Sequence, residues 1–114
     1  MDFGQAVSSG FRNYIGFDGR ASRSEYWFWT LFAVILSIVA GTLDGFVGLG
    51  FFSGIVGLGL FLPGLAISFR RLHDLDATAW WLLLSLTGIG GLFLLIWFCF
   101  PGTAGSNRFG PDPL

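Results

Sequence analysis

Lysine is absent from this 114-residue chain, and only 11% of its residues are charged, less than half the ~25% usual in a soluble domain. So little charge excludes a conventional water-facing surface. The six positive charges are all arginine and form no long basic run, which excludes a nucleic-acid interface, since that needs a basic excess on one face. Cys99, the one cysteine, excludes an intrachain disulfide and a cysteine-based metal site, and reads as a small apolar side chain. His73, the one histidine, has neighbouring carboxylates but neither a matched nucleophile nor a metal-ligand set. No catalytic residue, metal or cofactor is therefore expected. A cleavable signal is missing too: the first apolar run begins near Tyr26 and exceeds the ~7 to 15 residues of a signal core. The first span should persist as a signal anchor, with the mature chain starting at or near Met1. There is no internal repeat and no low-complexity tract.

What is present is apolar: 54% hydrophobic and 18% aromatic residues, gathered into long uncharged blocks. From Tyr26 to Phe69 there are 44 residues with one charge, Asp44, far too many for one helix at ~1.5 Å per residue across a ~30 Å hydrocarbon core. The run divides into two spans, and Asp44-Gly45 is the natural turn. A third uncharged run, Ala79 to Phe100, has the length of one more span and is stopped by Pro101-Gly102. Before them, Phe3, Val7, Phe11 and Tyr14 recur at helical spacing opposite Asp2, Gln5, Ser9, Arg12 and Asn13, the pattern of an amphipathic helix. That helix either lies flat on the membrane or packs on another subunit.

The fold class is thus an all-α integral membrane protein in one domain. An amphipathic interfacial helix (2–16) precedes three transmembrane helices (23–43; 46–69, kinked near Pro63; 78–100) and an irregular extramembrane tail (101–114). Ser22 and Glu25 fit a capping box at the start of the first span, and Asp76 or Thr78 caps the third. Arg12, Arg20, Arg23, Arg70 and Arg71 fall on one side of a three-span arrangement and Arg108 on the other, which predicts a cytoplasmic N-terminus and a periplasmic C-terminus. Trp27, Trp29, Trp80 and Trp81 should anchor the cytoplasmic boundary and Trp97 the opposite one.

Two groups stand out as candidate sites. Gly50, Ser53, Gly54 and Gly57 have small-xxx-small spacing and form a helix-packing face, against either the other spans or a second copy. Arg20, Arg23, Arg70, Arg71 and His73 gather at one interface. There they either bind the phosphate of an anionic phospholipid or set topology and form local salt bridges with Glu25, Asp74 and Asp76.

The segments GRASRSEYWFW, LPGLAISFRRLHD, the following WW, and PGTAGSNRFGPDP occur in this order, and with them the chain resembles the YhaH-like small inner-membrane proteins of bacteria, domain of unknown function 805. The resemblance implies a multi-span protein of the bacterial inner membrane with no assigned activity. By that pattern the residues carried over are Gly19, Arg20, Ser22, Arg23, Glu25, Arg70, Arg71, His73, Asp74, Asn107, Arg108 and Gly110, none with a known role; Ser22, Glu25, Asp74, Asn107 and Arg108 read as a polar network or caps. The chain departs at Thr78-Ala79, where the pattern has Ser-Gly, and at Leu86-Thr87, where it has a nearby proline.

The functional expectation is a non-catalytic scaffold or accessory subunit in envelope maintenance, contacting membrane lipids and either a second copy or another membrane protein. The rival is a subunit of an oligomeric channel or small-solute transporter, whose path would use Ser37, Thr42, Ser53, Ser85 or Thr87.

Overall fold

The computed structural model describes residues 2–48, 50–111 and 113. Met1, Leu49, Asp112 and Leu114, and with them the expected start at Met1 and part of the tail, lie outside the described residues. The regular elements of the described residues are helices: α1 (Phe3–Arg12), α2 (Arg23–Val47), α3 (Phe51–Asp74), a 3-10 helix (Ala79–Leu86) and α4 (Gly88–Phe98). Among the described residues there is no strand beyond one isolated bridge between Asn107 and Gly110.

α1 begins with a complete capping box that the sequence reading passed over: Gln5 N donates to Asp2 Oδ1 at 2.7 Å and Asp2 N to Gln5 Oε1 at 3.0 Å. It packs on α2 of its own chain. The face it buries is the small one, Ala6, Ser9 and Gly10, with Gly10 directly against the Trp29 indole. Phe11 then meets Trp29 and Phe32 edge-on at 5.2 and 5.8 Å, and Phe3 meets Phe28 at 6.1 Å.

α2 and α3 form the long antiparallel pair. Each is long and apolar enough to cross a membrane, and only 6% and 17% of their most apolar stretches are buried within the protein, which distinguishes them from core helices of a soluble domain. The turn lies later than Asp44-Gly45: α2 continues to Val47 and is closed by Gly48 at φ 79°. Asp44 is instead the cap of the next helix, accepting from Phe52 N at 2.8 Å and Ser53 N at 2.9 Å, where a carboxylate also meets the positive end of α3. α3 runs unbroken through Pro63. Proline has no N–H for the carbonyl four residues back, and that carbonyl, Gly59 O, accepts instead from the Tyr14 hydroxyl at 2.7 Å.

The expected third span is corrected. Residues 79–100 fold into a hairpin of two short helices: 8 residues of 3-10 helix and 11 of α-helix each extend only about 16 Å, half of a hydrocarbon core. The break falls at Thr87–Gly91, where three glycines weaken the helix and Thr87 re-caps it, accepting from Gly90 N at 3.0 Å. A side chain at Gly90 would overlap Leu84 O, so the tight tip needs glycine there. The chain therefore returns to the end it left: Trp97, expected at the far boundary, meets Trp81 edge-on at 5.4 Å.

The tail follows, and its expected place opposite the N-terminus is corrected too. Thr103 N donates to Asp74 O at 2.8 Å, and Ala21 N donates to the adjoining Arg70 O at 2.9 Å, so the tail and the N-terminal segment meet at one end of the α2–α3 pair. The packed core, Ala21, Tyr26, Trp29, Ile67, Leu72, Ala77, Leu94 and Phe98, is concentrated at this same end.

Candidate functional site

Where α2 begins, α3 ends and the tail returns, most of the charged side chains of the molecule come together. Ser22 Oγ accepts from Glu25 N at 3.3 Å, which is one half of the expected capping box. The other half does not form, because the Glu25 carboxylate turns to Arg70 Nη1 at 2.6 Å and accepts from Ser9 Oγ at 3.3 Å. Asp74 holds two guanidinium groups at once, Arg20 at 2.8 Å and Arg71 at 2.5 Å, on opposite carboxylate oxygens. All five of these charged residues are buried.

The remaining guanidinium hydrogens are directed at backbone carbonyls of the returning chain. Arg20 donates to Thr103 O and Gly105 O, each at 2.5 Å, and Arg71 donates to Phe98 O at 2.9 Å and to Phe100 O. Arginine suits this work, since its planar fork can serve a carboxylate and several carbonyls together. A side chain at Gly102 would overlap the Asp74 carboxylate, so glycine is what lets the tail approach this closely. Arg70 is the exception to full pairing, with Nε and Nη2 buried and without hydrogen-bond partners.

His73 and the tail form a second layer. Its Nδ1 lies 2.8 Å from Gly19 O, its ring stacks on Phe109 at 4.1 Å and 6°, and its carbonyl accepts from Asn107 Nδ2 at 2.9 Å. Arg108 pairs with Asp76 at 3.2 Å on the exposed rim and covers the Phe109 ring at 4.9 Å.

The structure thus brings Arg20, Arg70, Arg71, His73, Ser22, Glu25, Asp74, Asn107 and Arg108 together, but not as an open headgroup site. Arg20, Arg70 and Arg71 are buried and face internal partners; Arg23 alone of the four expected arginines is exposed, reaching Cys99 O at 3.1 Å. Of the two expected roles, the contacts seen here are the local salt bridges, to Glu25 and Asp74, and they make a charge clasp that fastens the tail to the helices. Gly50, Ser53, Gly54 and Gly57 are all exposed, and of the four Ser53 adjoins α2, beside Gly41 and Asp44. The hydroxyls proposed for a channel path are largely engaged locally, with Thr42 donating to Ile38 O, Ser85 to Leu82 O and Thr87 to Leu84 O. Among the described residues, no group of His, Cys, Asp and Glu side chains is placed to hold a metal.

Sequence reasoning missed Ser9, Tyr14, Thr103 and Phe109. Pro63 could have flagged that Gly59 O needs a donor; nothing local named Tyr14 as its source.

Residues 14–111, which include every member of the clasp except Ser9, match the model of a family described as a protein of unknown function, DUF805. The chain belongs to that family. It is 48% identical over 109 residues to the inner membrane protein YhaH of Escherichia coli strain K12, covering 90% of each chain. To the inner membrane protein YhaI of the same strain it is 47% identical over 105 residues, covering 90% of this chain and 89% of the relative. No solved structure matches the chain.

Proposed function

We propose that this DUF805 member crosses the bacterial inner membrane twice, keeps both termini in the cytoplasm, and acts without catalysis as a scaffold or accessory subunit in envelope maintenance. Support for the crossing comes from two long helices that leave their apolar surface unburied, and from relatives that are named inner membrane proteins. Support for the orientation is stronger than the sequence alone offered: once the tail returns, Arg108 joins Arg20, Arg23, Arg70 and Arg71 at one end, while the α2–α3 turn carries only Asp44.

The observation that carries the non-catalytic reading is the clasp itself. Its carboxylates neutralise guanidinium groups and its guanidinium groups hold carbonyls, so the chemistry-bearing side chains maintain the fold. Association then falls to the surface. Arg23, exposed at the clasp end, suits an anionic headgroup, and the bare Gly50–Gly57 stripe of α3 suits close approach of another helix, from a second copy or a different membrane protein.

Two measurements test this. Fluorescent reporters at either terminus should both light, and alkaline phosphatase at either should be silent; an active C-terminal phosphatase overturns the two-crossing reading. A photo-crosslinking residue at Gly54 should capture a protein in living cells, and capture of lipid alone, there and around the rest of α2 and α3, overturns the scaffold reading.

A further inference from the structure

We propose that the cleft between α3 and the re-entrant hairpin binds a neutral amphiphile with a long apolar chain and a hydroxyl-bearing head. The proposal rests on the membrane placement above for its supply of ligand, and on three observations of its own.

The first is space. A cavity of about 1180 Å³ lies between α3 and the hairpin, at or above the roughly 300–1,000 Å³ of small-molecule pockets. Leu60, Phe61, Leu83 and Leu94 give it an apolar body, while His73 and Phe109 stand at its clasp end. Along α3, Leu60 to His73 covers 13 residue steps, about 20 Å of helix, so the cleft is long enough for an extended chain.

The second is a polar atom with nothing to bind. His73 is 9% exposed, and its Nδ1 faces Gly19 O, a carbonyl that can only accept. Nδ1 therefore carries the hydrogen, and in that tautomer Nε2 is the acceptor. Nε2 makes no hydrogen bond among the described residues, and the ring that bears it lines the cleft. Nε2 is therefore left without a hydrogen bond on the cleft side, and a hydroxyl on a ligand supplies a donor to it. Thr78 stands at the same end of the cleft to take part.

The third is charge. The polar residues lining the cleft are Tyr26, Ser68, His73, Thr78 and Ser85, with no arginine or carboxylate among them. The cation beyond Phe109, Arg108, is engaged by Asp76, and Arg71 behind Tyr26 by Asp74. A phosphate head would meet no free guanidinium in the lining, whereas a neutral hydroxyl meets a matching acceptor. Both a long-chain or isoprenoid alcohol and a diacylglycerol have this chemistry.

The test uses the full-length chain in lauryldimethylamine oxide micelles, a detergent without hydroxyl groups. Retention of tritiated hexadecanol on the immobilised protein should saturate at one per chain and exceed that of its methyl ether by about fivefold, the weight of one hydrogen bond. His73→Phe keeps a ring against Phe109 and should bring the alcohol down to the level of the ether. Should that variant fold poorly, Gly64→Leu serves: Gly64 lines the cleft and its added side chain meets open space, so binding should fall while the fold persists. Competition with geranylgeraniol and with dioleoylglycerol assigns the source, the stronger competitor marking the single-chain or two-chain lipid. Equal retention of alcohol and ether overturns the proposal, as does retention indifferent to Gly64→Leu, or a cross-link between Leu83 residues of two copies that excludes the alcohol. Failure of the membrane placement would show separately, in the terminal reporters.

Discussion

The two ends of the α2–α3 pair are built on opposite principles. At the clasp end, five charged side chains are buried and paired with one another, all but two Arg70 nitrogens finding partners there or in the tail, and nearly the whole core is gathered around them. At the turn end one charge, Asp44, caps α3, and the surrounding Phe46, Phe51, Ile55 and Leu58 are exposed. The difference teaches where tertiary structure must be specified. A helix in lipid satisfies its own backbone and needs no partner, so the turn end can stay bare. The clasp end joins four separate chain segments, and buried ion pairs with shared carbonyls fix their register at the expense of desolvating charge.

The sharpest way to break this contrast is Asp74→Ala. It leaves Arg20 and Arg71 charged, buried and unpaired, at a cost of about 3–5 kcal/mol, and the tail should become the first site of proteolysis. Thermal unfolding in detergent and limited digestion read both effects; unchanged stability would mean that the pairs do not fasten the tail. A companion experiment sharpens the point. Removing Glu25 and Arg70 together, as Glu25→Leu with Arg70→Met, should be near neutral, because it deletes both charges and the unpartnered Arg70 hydrogens at once. Glu25→Leu alone should destabilise strongly, and a double variant as damaged as the single one contradicts this account.

Gly102→Ala should follow at about 1–3 kcal/mol, since its methyl group overlaps the Asp74 carboxylate and the tail must shift to admit it. Tyr14→Phe should cost about 1 kcal/mol by leaving Gly59 O without its donor. Pro63→Ala in that background should restore the loss, because alanine supplies the missing N–H; the double-mutant cycle measures that coupling directly. The smallest effect should come from the turn end: Gly54→Leu on the bare stripe should change the stability of the isolated chain by less than about 0.5 kcal/mol. A larger loss in membranes than in dilute detergent would trace the stripe to association.

Much of this molecule was legible in residue order. Composition alone required apolar helices in place of a solvated fold, and the two long apolar helices, the Ser22 cap and the meeting of Arg20 with Arg70 and Arg71 all followed from run length, capping chemistry and charge placement. Those signals are local, or additive along the chain. The tertiary structure decided the rest. Whether residues 79–100 cross or turn back depends on weak helix propensity at Thr87–Gly91 against the gain from seating Phe98 and the tail on Arg71, a balance between segments that no window of sequence contains. Which partner each arginine takes was equally invisible: a flanking arginine satisfies a headgroup and a buried carboxylate by the same chemistry, and only the returning tail, arriving from beyond the hairpin, encloses Arg20 and Arg71 and makes them structural.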